Sequence, residues 1–366
     1  MSSEFGKNLR VSIFGESHGN GIGVVVNGFP AGETVDMNRL HYFMSRRAPG
    51  SSRLTTQRKE ADEPEFLSGI RDGVLTGSPF AAVIRNTNQR SGDYKGFEDT
   101  PRPSHADYTA AVKWNGAADM RGGGHFSGRL TAPLCAAGGI AIQILARRGI
   151  RIAAHLANIG GVSDEHFPVF PNEELFDELN TMMFPLIDAQ KASRMQALIQ
   201  QAGNAGDSVG GEIECAAIGL PAGLGDPMFE GVESLLSAVL FGIPGVKGVS
   251  FGSGFECVSM HGSAHNDPFV IVDGKVRTET NHSGGIQGGI TNGMPLIVHV
   301  AMKPTASIAL QQRTVSLSRM EETEISIHGR HDPCIAIRAV PVVEAVTALV
   351  LLDLMKSADC GMRNVE

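Results

Sequence analysis

Three stretches of this chain set cations beside glycine or imidazole in a way that suits a multiply anionic ligand. The first is Gly15-Glu16-Ser17-His18-Gly19. An imidazole between small residues, with Glu16 two positions away, can be held cationic near neutral pH and can donate a proton to a leaving oxyanion. The second carries Arg46, Arg47, Arg53 and Arg58, and no Asp or Glu occurs between Arg39 and Lys59. Its Pro49-Gly50 and hydroxyls read as a structured loop. Arginine fits phosphate and carboxylate because its planar fork donates bidentately and stays charged; a solvated basic loop or a subunit contact is the plainer alternative. The third pairs Arg102-Pro-Ser104-His105-Ala-Asp107, ahead of a helical pattern capped by Ser104 or Asp107, with Arg121-Gly122-Gly123-Gly124-His125-Phe126-Ser127-Gly128-Arg129. A helix N-terminus welcomes an anion, and consecutive glycines let backbone N–H groups close around one. Further on, Lys303-Pro304-Thr305-Ala306-Ser307 and Gly329-Arg330-His331-Asp332 put cations beside hydroxyls and a carboxylate. Asp332 reads equally well as a turn residue.

Gly15–Gly19 also fits the G-x-S-x-G nucleophile elbow, which makes a serine hydrolase the first rival. That motif needs a strand, a sharp turn and then a helix, whereas Gly19 leads into Asn-Gly-Ile-Gly and the strand-like Val24–Val26. Gly206-Asp-Ser208-Val209-Gly210 fits equally, and two elbows cannot both supply the nucleophile. The second copy carries Val209 where the first has His18, so the turn itself does not require histidine.

The elements that must position these residues recur. Gly15 and Gly28 reappear as Gly206 and Gly219, offset by 191; Gly73, Gly77 and Pro79 reappear as Gly289, Gly293 and Pro295, offset by 216; Arg121 and Arg129 reappear as Arg330 and Arg338, offset by 209. The order predicts two similar halves, about 8–150 and 200–358, joined by a variable acidic segment 160–195 within one compact catalytic domain. Strands are predicted at Val11–Phe14, Gly23–Val26, Ala81–Ile84, Ile213–Ile218 and Leu296–Val300, and helices at Ala106–Trp114, Leu134–Arg147, Glu233–Phe241 and Val342–Met355. Strands clustered with glycine turns and then helices indicate α+β with antiparallel sheets covered by helices.

Composition narrows the function. Net charge is -8 over 366 residues, which argues against nucleic acid or an acidic membrane as partner. Asp164–Asp188 holds seven acids and no Lys or Arg and reads as a solvated face. The apolar runs Ala132–Ala146 and Ala339–Met355 are interrupted by polar residues or proline and read as core helices. The start MSSEFGKNLRVSIF lacks the pattern of a secretory signal, so a cytoplasmic location is expected. Five widely spaced cysteines suggest neither a disulfide framework nor a zinc site, and no metal is expected.

Together the motifs resemble chorismate synthase along nearly the whole chain. The resemblance rests on Phe14-Gly-Glu-Ser-His-Gly19, Arg46-Arg-Ala-Pro-Gly50, Thr55-Thr-Gln-Arg58, Gln89-Arg-Ser-Gly-Asp-Tyr94, Arg102-Pro-Ser-His-Ala-Asp-Tyr108, Arg121-Gly-Gly-Gly124, Gly219-Leu-Pro-Ala-Gly223, Lys303-Pro-Thr305 and Gly329-Arg-His-Asp-Pro-Cys334. It implies a β-α-β sandwich, a homotetramer, and a carbon-oxygen lyase acting on phosphates that performs an anti 1,4-elimination on 5-enolpyruvylshikimate 3-phosphate. It also implies reduced FMN (FMNH2) as cofactor without net redox change, with NADPH used only by bifunctional members. On the matching positions His18 would protonate the departing phosphate, His105 would influence flavin protonation and Asp332 would relay a proton. Ser17, Arg47, Arg102, Arg129 and Arg330 would hold substrate. His125, Phe126, Ser127, Pro244, Gly245, Gly288, Lys303, Pro304, Thr305, Ala306, Ser307 and Arg330 would contact FMN, and Arg47 and Arg53 match the NADP positions.

The chain departs from the family pattern in places. Ala48 stands for a third arginine, His125 and Phe126 for Arg-Ser, and Pro244-Gly245 for Asn-Ala. His125 and Phe126 remove a permanent charge and a hydroxyl from a flavin-contacting loop. A non-catalytic or altered-specificity paralogue that binds a phosphorylated cyclohexene acid is the alternative these changes favour.

Overall fold

The computed structural model describes residues 3–50, 54, 62–86, 96–327 and 332–362. Strands β1 (Glu4–Phe5), β2 (Arg10–Gly15), β3 (Gly21–Asn27), β4 (Glu65–Ser68) and β7 (Phe80–Arg85) form one antiparallel sheet in the order β1-β2-β3-β7-β4. A small hairpin, β5 (Ile70–Arg71) with β6 (Val74–Leu75), projects from it. The second sheet joins β8 (Arg151–Ile159), β9 (Val162–Ser163), β10 (Gly211–Ile218), β11 (Val246–Phe251) and β16 (Leu296–Met302) in the order β11-β16-β10-β8-β9. Hairpins β12–β13 (Phe269–Val272, Lys275–Thr278), β14–β15 (Ile286–Gln287, Ile290–Thr291) and β17–β18 (Gln312–Ser316, Glu321–Ile325) extend the second half.

Between the sheets lies a helix layer. Helix α1 (Met37–Arg47) starts on Asp36, whose carboxylate accepts the N–H groups of Asn38 and Arg39. The short α2 (Asp107–Lys113) follows, then α3 (Thr131–Arg147). Fourteen of the seventeen residues of α3 are buried, as expected of a helix apolar on every side. It packs on β3 and β7 on one side and on α8 (Ala336–Met362) on the other, while α8 packs on β8 and β10. A Cβ at Gly138 would overlap Ala345, so glycine sets the close α3–α8 approach. The segment Gly128–Arg147 is long and apolar enough to cross a membrane, but 89% of it is buried inside this fold. The α8 pattern was expected to begin at Val342; the helix starts six residues earlier and runs through Pro341. Packing in the helix layer outweighs the one backbone bond that proline removes.

Helix α4 (Glu173–Thr181) and the segment around it cover the outer face of the second sheet, burying Phe167, Phe176 and Leu179 against Ala153, Ala216 and Ile297. Five of the seven acids of this stretch, Glu165, Glu173, Glu174, Asp177 and Glu178, are exposed, while Asp164 is buried. Along the chain this stretch and α5 (Ala192–Asn204) connect β8 to β10, which pair directly in the sheet. Helix α6 (Val232–Leu240) packs on α8 and β11, and α7 (Gly262–His265) is a single turn.

Candidate active site

The helix layer brings cations from distant parts of the chain to one cavity of about 870 Å³. Arg47 ends α1, Arg129 lies just before α3, and Arg338 belongs to the first turn of α8. Arg47 donates through Nη1 to Asp62, through Nε to Thr131 at 3.0 Å and through Nη2 to the Gly128 carbonyl at 2.7 Å. Arg129 reaches the other oxygen of Asp62 at 2.6 Å and Asn86 at 2.6 Å. Burial alone would raise the Asp62 carboxyl, but Arg47 and Arg129 outweigh it and hold it below the usual carboxylate range. Arg338 donates to Asp332 at 2.6 Å and to the Arg47 carbonyl at 2.9 Å.

Arg102 is gripped by Asp107 through Nε at 2.7 Å and Nη2 at 2.8 Å, and its Nη1 reaches Ser307 at 3.2 Å. Asp107 also lies 2.7 Å from His105 Nδ1. Burial opposes its ionisation, yet Arg102 and His105 push the Asp107 carboxyl far below its ordinary value. Neither Ser104 nor Asp107 caps α2 with its side chain, contrary to expectation; Asp107 is committed to the guanidinium and to the Arg102 N–H, and Ser104 has φ +60°. Across the cavity, Lys303 contacts the Ser104 carbonyl and hydroxyl. Burial, then Lys247, lowers its pKa.

The glycine triplet threads between the two histidines. Gly122, Gly123 and Gly124 have φ of +63°, +89° and +53°. A Cβ at Gly122 would fall less than 3.0 Å from the His18 ring and from Ser17 Oγ, and one at Gly123 would lie 3.4 Å from His105 Nε2. Gly122 lines the cavity, and Ser17 and His18 lie buried directly behind it. Ser17 Oγ has no hydrogen-bond partner among the described residues. Asp119, held ionised chiefly by Arg121, is close enough to His18 for its charge to be felt.

Among the described residues the cavity wall carries six cations, Arg47, Arg102, Arg129, Lys247, Lys303 and Arg338, against two carboxylates, Glu4 and Asp332. Even with Asp62 and Asp107 behind the arginines, positive charge remains in excess for an anionic ligand. A match to the chorismate synthase family model covers residues 9–355. The chain belongs to the chorismate synthase family. It is 45% identical to the chorismate synthase of Lancefieldella parvula over 98% of this chain and 97% of that one. It is 47% identical to that of Thermococcus gammatolerans over 95% and 96%. A crystal structure of chorismate synthase superposes with a TM-score of 0.75 at 28% identity, covering 97% of this chain and 93% of that one. The protein is accordingly a chorismate-forming lyase of aromatic amino acid biosynthesis.

Among the residues singled out from the sequence, Arg47, Arg102, His105, His125, Phe126, Ser127, Arg129, Pro244, Gly245, Lys303, Pro304, Thr305, Ala306, Ser307 and Asp332 all line this chorismate synthase cavity. Gly288 does not; it sits in the turn between β14 and β15 with open space where a Cβ would be. Arg53, Arg58, the 89–94 motif and Arg330 lie outside the described residues. Both family departures at 125–126 are taken up internally. His125 Nδ1 lies 2.7 Å from the Gly15 carbonyl and its Nε2 2.7 Å from Ser3 Oγ, and Phe126 packs against Trp114 with ring centroids 5.8 Å apart.

Sequence reasoning missed Asp62, Trp114 and the cavity role of Arg338. Arg338 carried a signal, the eight-residue Arg330–Arg338 spacing that matches Arg121–Arg129; Asp62 carried none. The arginine-rich segment also needs correcting. Ser45–Arg47 are helical, and Arg46 turns away from the cavity into a bidentate pair with Glu344 at 2.7 and 2.9 Å.

Proposed function

We propose that this chain converts 5-enolpyruvylshikimate 3-phosphate to chorismate by anti 1,4-elimination of phosphate, with reduced FMN bound in the cavity and no net redox change. The observation that carries this reading is a cation-rich cavity whose glycine triplet lies against Ser17 and His18 on one side and His105 on the other. A volume of about 870 Å³ leaves room for a flavin beside its substrate. The residues present suit such a pair: the aromatic Trp114 and Phe126, the side-chain-free Gly245, the Thr305 and Ser307 hydroxyls, and Lys303 for a phosphate. When bound, reduced flavin supplies transient electron density that helps expel phosphate and is recovered with the departing hydrogen.

The chain's own residues do the rest. Arg47, Arg102 and Arg129, with Arg330, hold the phosphate and carboxylates, and Ser17 Oγ donates to the same anion. Three of the five Arg47 N–H groups are engaged within the protein, leaving two for substrate. His18 passes its proton to the departing phosphate. His105, oriented by Asp107, sets the protonation state at the flavin, and Asp332, oriented by Arg338, takes up and passes on the proton lost from the ring. Backbone donors near His125, Phe126 and Ser127 complete the cofactor contacts.

We further propose a homotetramer, which would cover the exposed Phe229, Phe255, Val258 and Met320, a cytoplasmic location, and a single catalytic domain made of two similar halves.

The deciding experiment is anaerobic phosphate release from 5-enolpyruvylshikimate 3-phosphate with chemically reduced FMN, oxidised FMN, or NADPH as sole reductant. Release with reduced FMN only, slowed about 10²–10⁴-fold in His18→Ala, supports the lyase and its proton donor. Release with FMN and NADPH would place flavin reduction in this chain and assign Arg47 and Arg53 to it. No turnover by folded wild type would leave the non-catalytic paralogue.

A further inference from the structure

The outer face of the second sheet carries a cluster that the lyase chemistry does not use. Glu214 on β10 is the cross-strand partner of His155 on β8 and of His299 on β16. The buried His155 ring lies 2.9 Å from Asp164 through Nδ1 and 2.7 Å from Glu214 Oε2 through Nε2. The Phe167 N–H also donates to Oε2, at 3.2 Å. Glu214 Oε1 instead faces His299 Nε2 at 3.7 Å, too far for a hydrogen bond. On its other side His299 Nδ1 lies 3.1 Å from Glu212 Oε1, so the Nε2 edge of the ring is the one turned to Glu214. Two possible ligand atoms therefore face each other without a hydrogen bond between them. A third stands beside them: His166, on the acidic segment that crosses this face, has Nδ1 3.4 Å from Glu214 Oε2 and its ring edge-on to His299 at 5.7 Å.

We propose that His166, Glu214 and His299 bind one divalent transition-metal ion, and that the donor set fits zinc. One ligand atom from each residue lies within 4.8 Å of the other two. Tetrahedral zinc with bonds of about 2.0–2.2 Å sets its ligand atoms about 3.3–3.6 Å apart; His166 Nδ1 stands 3.4 Å from Glu214 Oε2, inside that range, and His299 Nε2 stands 3.7 Å from Oε1 of the same carboxylate, just outside it. Two imidazoles and a carboxylate are borderline donors suited to this ion. Glu212 behind His299 and His155 behind Glu214 supply the hydrogen bonds that orient ligands in built sites. The exposed His166 ring can rotate to close the third position, and water completes the fourth. Among the described residues none of the three lines the large cavity, so the ion is a clasp holding the 164–188 segment to the sheet.

The test uses the full chain, stripped with chelator and titrated with Co²⁺ as a spectroscopic probe, then with Zn²⁺. One equivalent of Co²⁺ should bind with the intense visible bands of a tetrahedral site and be displaced by Zn²⁺. His166→Ala, at an exposed position, should keep the wild-type circular dichroism, weaken binding by at least about tenfold and lose the zinc-dependent rise in Tm. His265→Ala, beside His282 elsewhere on the surface, should bind as wild type does. The proposal fails if wild type shows no saturable one-equivalent binding, or if affinity is unchanged in His166→Ala. Should His166→Ala misfold, His299→Gln is read the same way, and unchanged affinity there overturns the proposal.

Discussion

Two adjacent arginines on the last turn of α1 serve two different regions. Arg46 enters the middle of the helix layer, where Glu344 of α8 takes both ends of its guanidinium and also accepts the Ala154 N–H at 3.0 Å. Arg47, about 100° further round the helix, points to the cavity, where it shares Asp62 with Arg129. Both are almost wholly buried. The first is a bidentate one-to-one pair away from the cavity. The second belongs to a cluster in which cations outnumber carboxylates. Burial and charge therefore do not mark a binding residue; an unbalanced set of donors around an open volume does.

The contrast can be broken most sharply at Glu344. Glu344→Ala strands the Arg46 charge in the core and should lower unfolding free energy by about 3–5 kcal/mol, measured by urea denaturation, while kcat of the folded enzyme at low temperature stays near wild type. A large kcat loss at unchanged stability would put Arg46 in the active site after all. Ser17→Ala should do the opposite. Its hydroxyl is buried without a partner among the described residues, so stability should change little, whereas substrate affinity should fall about 10–100-fold for the loss of a hydrogen bond to an anion.

Gly122→Ala lies between these extremes. The φ of +63° costs an L-residue about 1–2 kcal/mol, and the added methyl must displace His18 or Ser17. Slower phosphate release together with modest destabilisation is expected, and rates equal to wild type would mean that His18 can move without consequence. The smallest effect is the acid limb of stability. Asp62 and Asp107 have folded pKa values below their unfolded ones, so their contribution is complete above about pH 4 and is lost as pH falls through the folded values. Asp62→Asn should flatten that acid-side loss in thermal denaturation, and an unchanged slope would show that Asp62 is not held ionised by its arginines.

Much of the site was legible because its chemistry is local. The glycine triplet, His18, His105 and the Lys303–Ser307 string announce themselves by residue type and spacing; Gly122, His105 and Lys303–Ser307 line the cavity, with His18 directly behind Gly122. Strand and helix positions were legible too, since glycine turns bounding apolar runs mark element ends wherever they occur. What remained hidden was pairwise. Nothing near Arg46 in sequence distinguishes it from Arg47, and Asp62 became visible only when the ends of α1 and α3 met over it. Gly288 shows the converse, a position matched by motif that the fold places away from the cavity.

The sequence by itself determined the types of element, the anionic class of ligand and the family, because these depend on periodicity, charge type and motif order along the chain. Tertiary structure alone decided which arginines face the ligand, which carboxylates neutralise them, and that His166 meets Glu214 and His299 across a sheet. Those outcomes depend on contacts between residues up to 298 positions apart, and a buried charge acquires its role only from the partner that packing delivers to it.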